Sequence, residues 1–121
     1  MQSEADNPSS LHAQYDMRTF RTVECCCLDS FRDELLGRRV VMKIDVEGAE
    51  DQALAGARTV LERVRPLIVI ECFQAQKMAS LSEFGYRVYY LGEGSNWLAI
   101  PREYDGEAQK ALPGLKNLPS C

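Results

Sequence analysis

Three carboxylates stand where an open α/β sheet places its ligands. Asp45 and Glu47 lie in the run Lys43-Ile44-Asp45-Val46-Glu47-Gly48-Ala49-Glu50, and Glu71 directly follows the apolar run Leu67-Ile68-Val69-Ile70. In such sheets ligands sit outside the carboxyl ends of the strands. Acids converging there can take a proton from a hydroxyl or orient a bound molecule. Each residue taken singly also has a structural reading. Asp45 would cap the following helix, Glu47 would favour the positive end of its macrodipole, and Glu71 would be solvated rim. The group of three favours a site, because capping a helix requires no third acid on the adjacent strand. Gly48 fits either reading, as a tight turn or as a close backbone approach to a ligand. Three rim oxygens would suit Mg²⁺, but no cluster has a ligand spacing that demands a metal, and none is expected.

The acids need alternating strands and helices to hold them, and the apolar pattern supplies these. Residues 40–44 are a nearly continuous apolar run, as expected for a strand buried on both faces of a parallel sheet. Over residues 48–64, Ala49, Ala53, Leu54, Ala57, Val60, Leu61 and Val64 keep the spacing of one helical face, with Glu50, Asp51, Arg58, Glu62 and Arg63 mostly outside it. Pro66 marks the break. Residues 67–70 form a second buried strand, and a shorter helix with Met78, Leu81 and Phe84 inward runs to Gly85. Upstream, residues 22–28 (TVECCCL) read as a short strand, and Asp29-Ser30 as the cap of a helix over 31–36 that Gly37 stops.

The order is therefore βαβαβ. Residues 86–91 and 96–100 follow as two strands across Gly92-Glu93-Gly94-Ser95, a link short enough for an antiparallel hairpin at the edge of an otherwise parallel sheet. Tyr86, Tyr89, Tyr90 and Trp97 are expected there as core and cross-strand pairs, not as a ligand platform. Residues 1–21 read as a polar arm, and residues 102–121, with Pro113, Gly114 and Pro119, as an irregular tail with at most one helical turn.

With 121 residues, 45% apolar and 26% charged, the chain supports one core of ordinary globular composition. A net charge of -4 leaves no basic footprint, so no nucleic-acid partner is expected. Cys25, Cys26, Cys27, Cys72 and Cys121 lack the spacing of a zinc site or a redox motif and are expected as reduced thiols of a cytoplasmic protein. The first 22 residues lack an apolar signal core, and no apolar run approaches the roughly 20 residues needed to span a bilayer. A soluble, unexported protein with no membrane partner is expected.

The stretch VVMKIDVEGAEDQALAGARTVLERVRPLIVIE resembles the most diagnostic part of the FkbM methyltransferase family, flanked by VECCCLDSF and GYRVYYLGEGSNWLAIP in matching order. The likeness runs from about Val23 to Pro101 and makes residues 22–101 the carboxy-terminal half of a methyltransferase domain. It implies a partial Rossmann-like class I methyltransferase sheet, parallel strands closed by an antiparallel hairpin, and transfer of a methyl group from S-adenosylmethionine to a hydroxyl of a small-molecule or glycan acceptor.

On that resemblance Glu47 is the candidate general base, Asp45 a second catalytic candidate that orients the acceptor or holds the methionine end of the cofactor, and Glu71 an acceptor contact. Asp29 falls near the adenine position, with the helix cap as its equal alternative. The only histidine, His12, lies in the arm and is excluded as base. The family's glycine-rich cofactor turn and the following ribose-binding acid are not found ahead of Val40. The chain is therefore expected to be a fragment whose Val40 strand is an apolar edge, marginally stable or self-associating through it. A noncatalytic remnant or partner subunit is the alternative. A different nucleotide-binding α/β domain is disfavoured by the lack of a phosphate loop.

Overall fold

A computed structural model describes residues 20–120, so the polar arm lies almost wholly outside the described residues. Four strands, β1 (Val41–Ile44), β2 (Leu67–Glu71), β3 (Tyr86–Tyr90) and β4 (Asn96–Pro101), form one sheet in the spatial order β1-β2-β4-β3. β1 and β2 are parallel, with Val41 beside Leu67 and Ile44 beside Ile70, and β4 is antiparallel to both of its neighbours. The hairpin forms as expected, and Tyr90 pairs across it with Trp97 at a ring-centroid distance of 5.0 Å. The sheet is therefore mixed, a parallel pair joined to an antiparallel hairpin, and β4 is the hairpin strand that lies against β2. Leu98, Ala99 and Ile100 explain this, because three successive buried residues fill both faces of a strand and call for an interior position.

Two expected strands differ. Residues 22–28 are in no strand, and Val23 is 73% exposed. Extended backbone is stabilised by a ladder partner, and among the described residues no strand lies beside this segment. β1 buries one face only: Ile44 is buried, whereas Val41 is 75% exposed and Lys43 is also exposed.

The first face of the sheet is covered by α2 (Glu50–Ala55), a π-helical turn (Val60–Val64) and α3 (Ala79–Glu83), whose Leu54, Val60, Leu61 and Leu81 pack on Ile68, Ile70, Val88 and Ala99. A shorter helix, α1 (Arg32–Leu35), precedes β1 and places Leu35 against this cluster. The second face is covered by the segment expected to be irregular. There α4 (Arg102–Ala111) and the turn Leu115–Asn117 bring Ala108 and Leu115 onto Tyr89, Leu98 and Ile100. The helix carries Gly106 and little apolar surface, so its own propensity is weak and packing supports it. Buried Asp105 fixes it by accepting the Tyr89 hydroxyl hydrogen bond at 2.6 Å and the Gln109 amide at 3.0 Å, with Arg87 at 3.4 Å.

Arg65 joins these parts. Its backbone is left-handed at φ 60°, directly after the π-helical turn. Its guanidinium donates to the carbonyls of Leu61, Phe84 and Gly85, grips both oxygens of Glu103 at 2.7 and 2.8 Å, and lies 5.0 Å from the Tyr86 ring centroid. It thereby satisfies carbonyls at two helix ends and holds the start of α4. Arg65→Met should cost about 2 kcal/mol, because part-buried carbonyls lose their donors. Glu103→Gln should cost under about 1 kcal/mol, because that carboxylate is half exposed. Urea denaturation of both variants checks the order, and a costlier Glu103→Gln would show that the ion pair dominates.

Candidate functional site

Parallel pairing in register ends β1 and β2 together, with Ile44 beside Ile70, so Asp45 and Glu71 emerge on the same rim. Their carboxyl groups meet. A hydrogen bond donated by the protonated Glu71 carboxyl to Asp45, together with repulsion by the Asp45 charge, holds the Glu71 carboxyl above the ordinary carboxylate range, with burial and the charge of Glu47 adding and Lys43 opposing. A neighbouring carboxylate makes the second charge harder to form, which is the physical cause of the Glu71 shift.

Glu47 reaches the rim through a strained turn. The Ala49 amide donates to the Val46 carbonyl at 3.3 Å, and the two residues between, Glu47 and Gly48, have φ of 45° and 103°. A glycine takes such a conformation freely, whereas a residue with a Cβ gives up about 1–2 kcal/mol. Strain of this kind gathers at functional sites when surrounding contacts enforce it. Glu47 and Gly48 line a cavity of about 260 Å³ together with Glu50, Phe73, Gln74 and Lys77.

The walls of that cavity are not legible in the sequence. Glu50 falls outside the apolar stripe of its helix, where solvation is expected, yet it is 2% exposed and accepts the Gly48 amide hydrogen bond at 3.0 Å. Lys77 comes from the 3₁₀ turn Ala75–Met78 and donates to the Gly48 carbonyl. Phe73, two residues beyond β2, is 75% exposed at the cavity. An aromatic directly after a strand tip is the one available signal. Behind it, the Trp97 indole donates to the Cys72 carbonyl at 3.1 Å and the buried Cys72 thiol lies 3.2 Å from the Gln74 carbonyl, which anchors this wall. Among the described residues no group of three His, Cys, Asp or Glu side chains is arranged to hold a metal ion.

Asp29 does not line this cavity. It lies in the 3₁₀ turn Leu28–Phe31, and its carboxylate accepts the backbone amides of Thr59 and Val60, each at 2.9 Å. It thus caps a helical segment 30 residues away in sequence, not the Phe31 helix for which a cap was expected. In an unbroken helix those amides would bond to Ala55 and Gly56. Asp29 takes them, its own amide donates to the Gly56 carbonyl at 2.9 Å, and the helix expected over residues 48–64 divides at Gly56. A Cβ on Gly56 would stand 3.2 Å from the Cys27 sulfur, so the glycine admits this approach.

A comparison with family models matches residues 2–88 to the Methyltransferase FkbM domain, well over half of the chain. The match begins within the segment read as an arm and ends inside β3. No curated protein and no solved structure matches the chain.

The Asp45–Glu71 contact has a measurable signature. Because the Glu71 carboxyl holds its proton more tightly folded than unfolded, the folded state binds more protons from the ordinary glutamate range up to the raised value. Stability contributed by that proton is complete below this window, falls as pH rises through it, and levels off above it. Asp45→Asn should flatten the fall in thermal midpoint as pH rises from the ordinary glutamate range through the raised Glu71 midpoint. A variant with the wild-type slope would show that the two acids do not interact.

Proposed function

The chain belongs to the FkbM methyltransferase family, and on that premise we propose that its acidic rim is the acceptor side of an S-adenosylmethionine-dependent O-methyltransferase site built on a Rossmann-like sheet. The observation that supports the reading is the meeting of Asp45 and Glu71 at the carboxyl ends of two parallel strands, with Glu47 on the turn that follows Asp45; of the three, only Glu47 lines the cavity. S-adenosylmethionine supplies an activated methyl group on a positively charged sulfur. Carboxylates suit that charge, and at Gly48 a Cβ would meet nothing within 4 Å, so the backbone at the rim is open to a bound molecule.

In this reading the acceptor hydroxyl enters the cavity and donates a hydrogen bond to the Glu47 carboxylate. As the oxygen gains the methyl group it loses its proton to Glu47, which acts as general base. Asp45 and Glu71 fix the orientation of the acceptor or of the methionine end, where placing the reacting atoms near 3 Å apart matters most. The exposed ring of Phe73 offers an apolar face to a sugar or natural-product ring. Transfer of labelled methyl to a panel of hydroxylated acceptors tests the assignment, with calorimetry for cofactor binding. In an enzyme whose cofactor-binding half is complete, Glu47→Gln should lower the transfer rate by about 100-fold or more and leave cofactor affinity within a few-fold. Full activity in Glu47→Gln would remove Glu47 from the role of base.

A second reading rests on the free side of β1, where no strand lies among the described residues and Val41 is 75% exposed. An open apolar edge templates pairing with another chain. We propose that two copies associate there. Sedimentation should show a concentration-dependent dimer that Val41→Lys returns to monomer, and a wild-type chain monomeric at all concentrations would exclude it.

A further inference from the structure

The carboxylate most fully removed from solvent in the candidate site is none of the three on the rim. Glu50 is 2% exposed, and its Oε2 accepts the Gly48 amide hydrogen bond at 3.0 Å. From the opposite element, Lys77 donates to the Gly48 carbonyl oxygen and stands 3.9 Å from Asp51. The two ends of Gly48 are thus gripped by side chains from α2 and from the turn Ala75–Met78, elements brought together only in the folded chain. Burying a carboxylate is costly unless it is paired and hydrogen-bonded. The adjoining core, Leu54 and Ile44 included, is apolar and makes no use of its charge.

What the grip explains is the turn. Glu47 and Gly48 both sit at positive φ, a conformation that asparagine and glycine favour and glutamate does not. Relaxing Glu47 to negative φ would turn its side chain away from the cavity it lines and from the Asp45–Glu71 pair. The Glu50 bond fixes the Glu47–Gly48 peptide and the Lys77 bond fixes the Gly48–Ala49 peptide, so the backbone of Gly48 between them is held at both ends.

We propose that Glu50, assisted by Lys77, is a positioning residue that holds the Glu47–Gly48 turn and so keeps the Glu47 carboxylate at the cavity. The role of the turn rests on the reading of Glu47 as base, but the clamp is tested without catalysis. The readouts, taken on the purified chain by nuclear magnetic resonance, are exchange of the Gly48 amide and titration of the Glu71 carboxyl, which faces Asp45, Glu47 and Lys43.

Glu47→Gln should lower the Glu71 midpoint by removing a nearby negative charge. Glu50→Ala should lower it equally, because Glu47 swings away, and should speed Gly48 exchange at least tenfold. Glu50→Gln loses the same charge as Glu50→Ala but keeps an acceptor for the Gly48 amide. It should therefore retain the wild-type Glu71 midpoint and most of the Gly48 protection.

A folded Glu50→Ala with both readouts at wild-type values would overturn the proposal. So would a Glu50→Gln that shifts the Glu71 midpoint as far as Glu50→Ala does, since charge and not position would then be the cause. Should Glu50→Ala fail to fold, Lys77→Met loosens the other end of the clamp. Faster Gly48 exchange and a lowered Glu71 midpoint in that variant would support the clamp, and wild-type values of both would overturn it. Unchanged methyl transfer in Glu47→Gln alongside the expected midpoints would reject the base assignment and leave the clamp standing.

Discussion

Arg65 is the joint on which this small fold closes. Its backbone ends the π-helical turn over the first face of the sheet, and its guanidinium takes the carbonyls that the helix ends leave over before gripping Glu103 on α4. The ion pair holds the Glu103 carboxyl below its ordinary range. Beneath the guanidinium the Tyr86 hydroxyl donates to the Pro66 carbonyl at 2.7 Å, and burial pushes that phenol up. One side chain therefore couples both layers to the sheet between them. Its fork-shaped donor set is what allows this, since a lysine ammonium could not serve three carbonyls and a bidentate carboxylate together.

The two faces of the sheet are secured by different means. On the first, fully buried aliphatic side chains such as Leu54, Leu61, Ile68, Ile70 and Leu81 supply the attraction, at about 1.5–3 kcal/mol each. On the second, a smaller apolar cluster is supplemented by the Tyr89–Asp105–Gln109 hydrogen bonds. Those bonds specify where α4 sits more than they add to stability, because buried polar groups gain little beyond what water gave them but cost much if displaced.

The candidate site uses this rigidity. Strand register aligns Asp45 with Glu71, and the Gly48 turn carries Glu47 toward them against the preference of its backbone. Like charges brought together and a left-handed glutamate are both unfavourable locally. The packed sheet and the turn gripped at Gly48 sustain them.

Asp45, Glu47 and Glu71 are legible in the sequence because position along a strand is a local property: an apolar run followed by an acid marks a strand tip, and two such tips in a βαβ unit share a rim. The family is legible for the same reason, in one contiguous stretch around KIDVEGAE. The hairpin is also local, set by its short glycine link. What only the tertiary structure decided is everything that depends on partners distant in the chain. Residues 22–28 have strand-like side chains but no described neighbour to pair with. The tail helix gains its stability from the second face of the sheet. Asp29 divides a helix 30 residues away by taking its amides. Glu50 looks solvated on a helical wheel but is buried in the fold, where it accepts the Gly48 amide hydrogen bond. Periodicity registers which face of an element is apolar, but it carries no information about which backbone group will come to stand opposite a charge, and that is where the cavity and its clamp arise.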